Sequence, residues 1–120
     1  MTRIAVTDDF TLFFLLKVPG EPPVILEAIS NTSTSIELRW TEVTELYSMP
    51  LLGYVIVYKK RNENFRVESM KSVLPMPLEA VVEDLEKFTD YIIRIYAFTS
   101  NGNGIPSQAV AVQTQEDGKL

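Results

Sequence analysis

The chain has 120 residues, 46% apolar and 22% charged, a balance suited to one folded domain with a modest core. A formal net charge of −5 excludes the broad basic footprint that a general nucleic-acid binder needs. The absence of cysteine and histidine excludes disulfides, thiolate and imidazole metal ligands, a Cys nucleophile, a Ser-His-Asp triad and an imidazole pH switch.

Residues 1–20, MTRIAVTDDFTLFFLLKVPG, differ in texture from the rest of the chain. Phe10 to Leu16 is a short apolar run, and Val18 and Gly20 are small residues of the kind a cleavage site uses. Asp8 and Asp9 stand where a secretory signal wants positive charge. The stretch is assigned as a signal-like leader, a flanking segment or an extra edge segment packed on the domain. Pro19, Gly20, Pro22 and Pro23 then mark a boundary, since proline cannot donate to a strand ladder and stiffens a linker. No apolar run reaches the roughly 18 residues of a membrane helix, so no membrane insertion is expected.

From residue 21 to 115, short strands with a period of two recur at even spacing, the pattern of a sandwich or barrel. Leu26 and Ala28 are expected on one face of the first strand, followed by a polar turn from Asn31 to Ser35. Ile36, Leu38 and Trp40 alternate with Glu37 and Arg39. Thr41 to Pro50 reads as a loop in which Leu46 and Tyr47 cap the core. Tyr54, Ile56 and Tyr58 alternate with Val55 and Val57, and a strand apolar on both faces is expected to be central. Lys59 to Asn64 is a charged turn, and Phe65 to Val73 a more polar edge strand ended by Pro75 and Pro77. Ala80 and Val82 lead into Leu85 to Ala97, LEKFTDYIIRIYA, with Tyr91, Ile93, Ile95 and Ala97 on one face and Ile92, Arg94 and Tyr96 on the other. Ser100 to Gly104 carries two Asn-Gly pairs, a strong hairpin signal. Ser107 to Thr114 is the last strand, with Val110 and Val112 inward, and residues 116–120 form a polar tail.

These marks together resemble a fibronectin type III domain over Pro22 to Thr114. They comprise the Pro22-Pro23 start, Thr34-Ser35-Ile36 leading to Trp40, Gly53-Tyr54-Val55-Ile56-Val57-Tyr58, the corner Leu85…Thr89-x-Tyr91, and Ala97…Asn101-x-x-Gly104…Pro106-Ser107. The resemblance implies an all-β, seven-stranded, immunoglobulin-like Greek-key sandwich, three strands packed on four, with a core of Trp40, Tyr54, Ile56, Leu85, Tyr91, Ile93 and Ile95. Three residues depart from the family pattern. Thr41-Glu42 replaces a Pro pair and should loosen its loop, Asn31 takes a site that is usually apolar, and Phe88 takes a site that is usually glycine.

Four features are candidate sites. Asn101, Asn103 and Ile105 form a loop able to make contacts, because exposed loops carry much recognition. Lys59, Lys60 and Arg61 are the one basic run and a candidate patch for a heparin-like polyanion, diluted by Glu63 and Glu68. Asn31-Thr32-Ser33 is the sole N-glycosylation sequon, usable only if Asn31 points outward. Tyr47, Phe65 and Tyr96 are candidate contact aromatics. Asp8-Asp9 and Glu83-Asp84 have no third ligand in the pattern to complete a metal or acid–base site, and on a strand Glu83 and Asp84 face opposite ways. No catalytic residue, cofactor or metal site is expected.

The expected function is a non-catalytic interaction or spacer module of an extracellular or cell-surface adhesion or receptor protein, whose partners are other proteins and neighbouring fibronectin- or immunoglobulin-like domains. The alternatives are a mechanical spacer of an intracellular, muscle-type chain and an accessory module of an enzyme.

Overall fold

A computed structural model of the chain describes residues 17–64 and 68–117. The reading of residues 1–16 as part of a leader, and Phe65 as a contact residue, lie outside the described residues. Among the described residues eight strands run in order: β1 (Ile25–Thr32), β2 (Ser35–Trp40), β3 (Gly53–Lys60), β4 (Ser69–Val73), β5 (Glu79–Val82), β6 (Asp90–Thr99), β7 (Gly102–Asn103) and β8 (Val110–Gln113). They form two antiparallel sheets, β1-β2-β5 and β4-β3-β6, with β7 and β8 both paired to β6. This is the expected sandwich, with the extra short β7 falling inside the expected Ser100–Gly104 turn and the expected last strand trimmed to β8. Ser107 stands opposite Ile95 and Val110 opposite Ile93, so three steps on one chain answer two on β6. Ser107 bridges that slip by donating its N–H to the Ile95 carbonyl and accepting the Ile95 N–H on its hydroxyl.

The alternation along each strand decides which side chains meet between the sheets. Ile36, Leu38 and Trp40 from β2 face Tyr54 and Ile56 from β3 and Tyr91, Ile93, Ile95 and Ala97 from β6, all buried together with Val82 and Leu85. The seven residues that the resemblance placed in the core, Trp40, Tyr54, Ile56, Leu85, Tyr91, Ile93 and Ile95, are all buried in this cluster. Trp40 packs edge-on against Tyr54, with ring centroids 5.5 Å apart. The Tyr54 hydroxyl accepts the Val43 N–H at 3.0 Å, and burial pushes its pKa up. That bond draws Val43 into the core, a contact the loop reading missed. Val55 and Val57 are buried on the opposite face of β3, as expected for a central strand.

The first strand corrects the expected alternation. Ile25 stands opposite Trp40 but Glu27 opposite Arg39, a bulge that turns Leu26 out and brings Ile25 and Ala28 onto the core. Thr41 corrects another expectation. It donates its N–H to the Val24 carbonyl and accepts the Val24 N–H on its hydroxyl, so it fastens its loop to the start of β1. At the free edge, Lys71 lies opposite Ile56 and donates to the Val81 carbonyl, an inward charge that blunts edge-to-edge pairing.

Between β5 and β6 the chain crosses from one sheet to the other. The Tyr91 hydroxyl accepts the Glu86 N–H at 2.8 Å, the corner predicted from the spacing. Thr114, also buried, donates to the Glu86 carbonyl and accepts the Thr89 N–H. Phe88 sits in this turn at φ 49° and is 57% exposed, so the site wants glycine for its backbone and gains little from the side chain. Phe88→Gly should raise stability by about 1 kcal/mol, because a left-handed residue with a Cβ costs that much. Tyr91→Phe should lower it by about 1–3 kcal/mol by orphaning the Glu86 N–H. Urea denaturation with an unchanged m-value would show both.

Candidate interaction surface

The loops after β2 and β6 share one pole of the sandwich, and residues 17–20 run across it. Gly20 donates its N–H to the Glu45 carbonyl, Asn101 Nδ2 reaches the Lys17 carbonyl, and the Lys17 ammonium lies 5.0 Å from the Tyr47 ring centre. Pro19 is buried against Gly104, where an added Cβ would come within 2.7 Å of Pro19 Cβ. Leu46 packs on the core as expected, whereas Tyr47 turns outward to this segment.

Glu21 clamps the same pole. Its carboxylate accepts the Thr44 and Glu45 N–H groups at 2.8 and 3.1 Å and the Thr44 hydroxyl at 3.1 Å. These bonds favour the charged form and hold the Glu21 carboxyl below the usual carboxylate range.

The β6–β7 hairpin differs in detail from its sequence signal. Its tip is Ser100-Asn101, between the paired residues Thr99 and Gly102, so neither Asn-Gly pair is central. Gly102 follows the tip at φ 136°, a conformation that only glycine takes readily. Asn101, Asn103 and Ile105 are all exposed. Asn103 and Gly104 line one end of a shallow depression of about 240 Å³ on the outer face of the larger sheet. Across that face β4, β3 and β6 set Met70, Val57 and Arg94 in one row and Ser72, Val55 and Tyr96 in the next. Val57 is the floor, Arg94 is tied to Glu68 at 2.8 Å, and Met70 is 68% exposed. Of the residues singled out in the sequence, Asn103 from the loop and Tyr96 from the sheet thus share one surface.

Lys59, Lys60 and Arg61 do not form an open basic patch. Lys59 Nζ donates to the Glu63 carbonyl at 3.0 Å, and Lys60 pairs with Glu86 and more distantly with Glu63. The Glu86 carboxylate holds the Lys60 ammonium above its usual pKa. Lys59 and Lys60 line a hollow shared with Glu63, Glu83, Asp84 and Glu86, so a polyanion would meet carboxylates there. Asn31 points outward, with Nδ2 donating to Glu37 Oε2, which removes the concern about a buried amide. Among the described residues no cluster of acidic side chains is arranged to hold a metal ion.

The sequence model of the fibronectin type III domain matches residues 21–113. The chain is 34% identical over 101 residues to protein sidekick-1 of Gallus gallus and 29% identical over 101 residues to the cell adhesion molecule DSCAM of Homo sapiens. Each match covers 83% of this chain and 5% of the relative, so the chain spans about a twentieth of the curated relatives it matches. Its fold superposes on the chicken CNTN1 FN1–FN3 domains with a TM-score of 0.76 at 27% identity, over 82% of this chain and 33% of that one. The fn3 domain of human contactin 1 gives the same TM-score at 22% identity, over 99% and 90% of the two chains.

A carboxyl with a lowered folded pKa adds stability that is complete above its unfolded pKa and vanishes as pH falls through the folded value. Glu21→Gln should therefore melt below the natural chain at pH 7. The two melting temperatures should converge on acidification below about pH 4, as thermal scans across that range would show.

Proposed function

This chain belongs to the fibronectin type III family, and from that premise we propose that it is a non-catalytic contact and spacer module of an extracellular cell-adhesion protein. The observation that carries the reading is the continuous surface formed by the β6–β7 hairpin and the outer face of β4, β3 and β6. Its buried floor at Val57, exposed Met70 and half-covered Tyr96 offer apolar area, and the Arg94–Glu68 pair supplies an internally neutralised polar centre. Such a surface suits the side chains of another protein, where aromatic and methionine residues contribute most of the contact. The likeness to relatives named as cell adhesion molecules supports the same reading.

The spacer part rests on a second observation. The chain comes in across the pole of Glu45 and Gly104 and goes out at the opposite pole, where Gln115 bonds Ser30 and Asp117 pairs with Lys87. Forces and geometry are then passed along the length of the sandwich. The segment Lys17 to Gly20, packed rather than dangling, sets the angle at which anything preceding it leaves.

The full chain, secreted and coupled to beads through its N-terminus, should bind cell surfaces weakly and multivalently. Met70→Glu or Tyr96→Ala should remove that binding with the melting temperature unchanged, while Val81→Glu on the other sheet should leave it intact. Equal binding by all three variants would place the contact elsewhere. Beads that bind no surface would reduce the module to a spacer.

A further inference from the structure

We propose that Asn31 carries an N-linked glycan that lies over the outer face of the β1-β2-β5 sheet. The inference rests on the extracellular reading above, because the sugar donor is met only on the secretory route. The reaction is an N-glycosyl transfer. Asn31 Nδ2 attacks C1 of the first N-acetylglucosamine of an oligosaccharide joined to a lipid diphosphate. The Nδ2–C1 bond forms, the C1–O bond breaks, the lipid diphosphate leaves, and Nδ2 gives up one proton. The acceptor is Asn31-Thr32-Ser33, with no proline in the middle and a hydroxyl residue two places on.

The folded chain has room for the product. A second irregularity in β1, between the pairs Ile29–Glu37 and Thr32–Ser35, sets Asn31 on the solvent side beside Glu37. Asn31 Nδ2 uses one proton in its bond to Glu37 Oε2. A glycosylated amide keeps one N–H, so that bond survives attachment and aims the sugar. The sugar also has a place to lie. Strand pairing puts Ile29, Glu37 and Val81 in one row across the sheet, with Ile29 and Val81 both exposed. These aliphatic side chains can take the apolar face of a pyranose ring, and Glu37 between them can accept its hydroxyls. Glu27 and Arg39, also outward on this sheet, pair with each other and frame the row. The glycan would thus cover one sheet of the sandwich and leave Met70, Val57 and Tyr96 on the other sheet open for contact.

The test is to express Met1 to Leu120 behind an added cleavable leader in a mammalian host, so that export does not depend on residues 1–20. Medium and cell fractions are weighed intact, before and after N-glycosidase. The expected result is an added mass that N-glycosidase removes, absent in Asn31→Gln and in Ser33→Ala and present in Ser33→Thr. Folded, exported chain of unmodified mass overturns the site and leaves the extracellular reading standing. Retention of the chain in the cytosol when the added leader is omitted overturns only the reading of residues 1–20 as a leader and leaves the site standing. Hydroxyl-radical footprinting of the folded protein then reads the cover. Removing the sugar should raise labelling of Ile29 and Val81 several-fold and leave Met70 unchanged; equal labelling with and without sugar overturns the placement over this face.

Discussion

The structure depends on one crossing, where the chain leaves the three-stranded sheet after β5 and enters the larger sheet at β6. A crossing buries backbone groups that no strand ladder can serve, and each orphan costs more than an ordinary hydrogen bond returns. Tyr91 and Thr114 solve this from two directions, one hydroxyl on the Glu86 N–H and the other on the Glu86 carbonyl and Thr89 N–H. Once the crossing is fixed, β6 is held with Tyr91, Ile93, Ile95 and Ala97 facing Trp40 and Leu38, and the two sheets close on one core. Phe88 shows that the backbone shape of the crossing outranks local preference, since a bulky, exposed residue is held at positive φ.

The two poles then take different work. At one, Glu21, Thr41 and Tyr54 anchor the long loop after β2 through backbone N–H groups. The same pole receives Pro19 against Gly104. At the other, Ser30 and Lys87 hold the outgoing chain through Gln115 and Asp117. The sandwich is thus anchored at both ends of its long axis. The two outer faces differ as well: one presents Met70 and Tyr96 beside the hairpin, and the other presents the Asn31 amide and a mixed row of Ile29, Glu37 and Val81.

Much of this was legible in the sequence because a strand writes its two faces in alternate letters. Trp40, Tyr54, Ile56, Tyr91, Ile93 and Ile95 alternate without interruption in β2, β3 and β6, and all six are buried. The Leu85…Tyr91 spacing gave the corner because a tyrosine hydroxyl reaches back over a fixed number of residues. What failed to show were the places where alternation slips. The bulge in β1 exchanged Leu26 for Ile25, and the slip between Ser107 and Val110 shortened the last strand. A bulge changes the count by one residue and leaves no mark in composition. Val43 and Thr114 were missed for a related reason, since each is buried by a partner far along the chain, Tyr54 for one and Glu86 for the other.

Charge divides along the same line. The linear chain by itself determined the acidic balance, the lack of thiol and imidazole chemistry, and the period-two pattern that makes a sandwich, because these are properties of residues and near neighbours. Only the tertiary structure decided that Lys60 is matched to Glu86, that Asn31 faces water beside Glu37, and that the hairpin and the Met70–Tyr96 face are one surface. Those are distances between residues well separated in the chain, and pairing strands into two stacked sheets is the step that sets them.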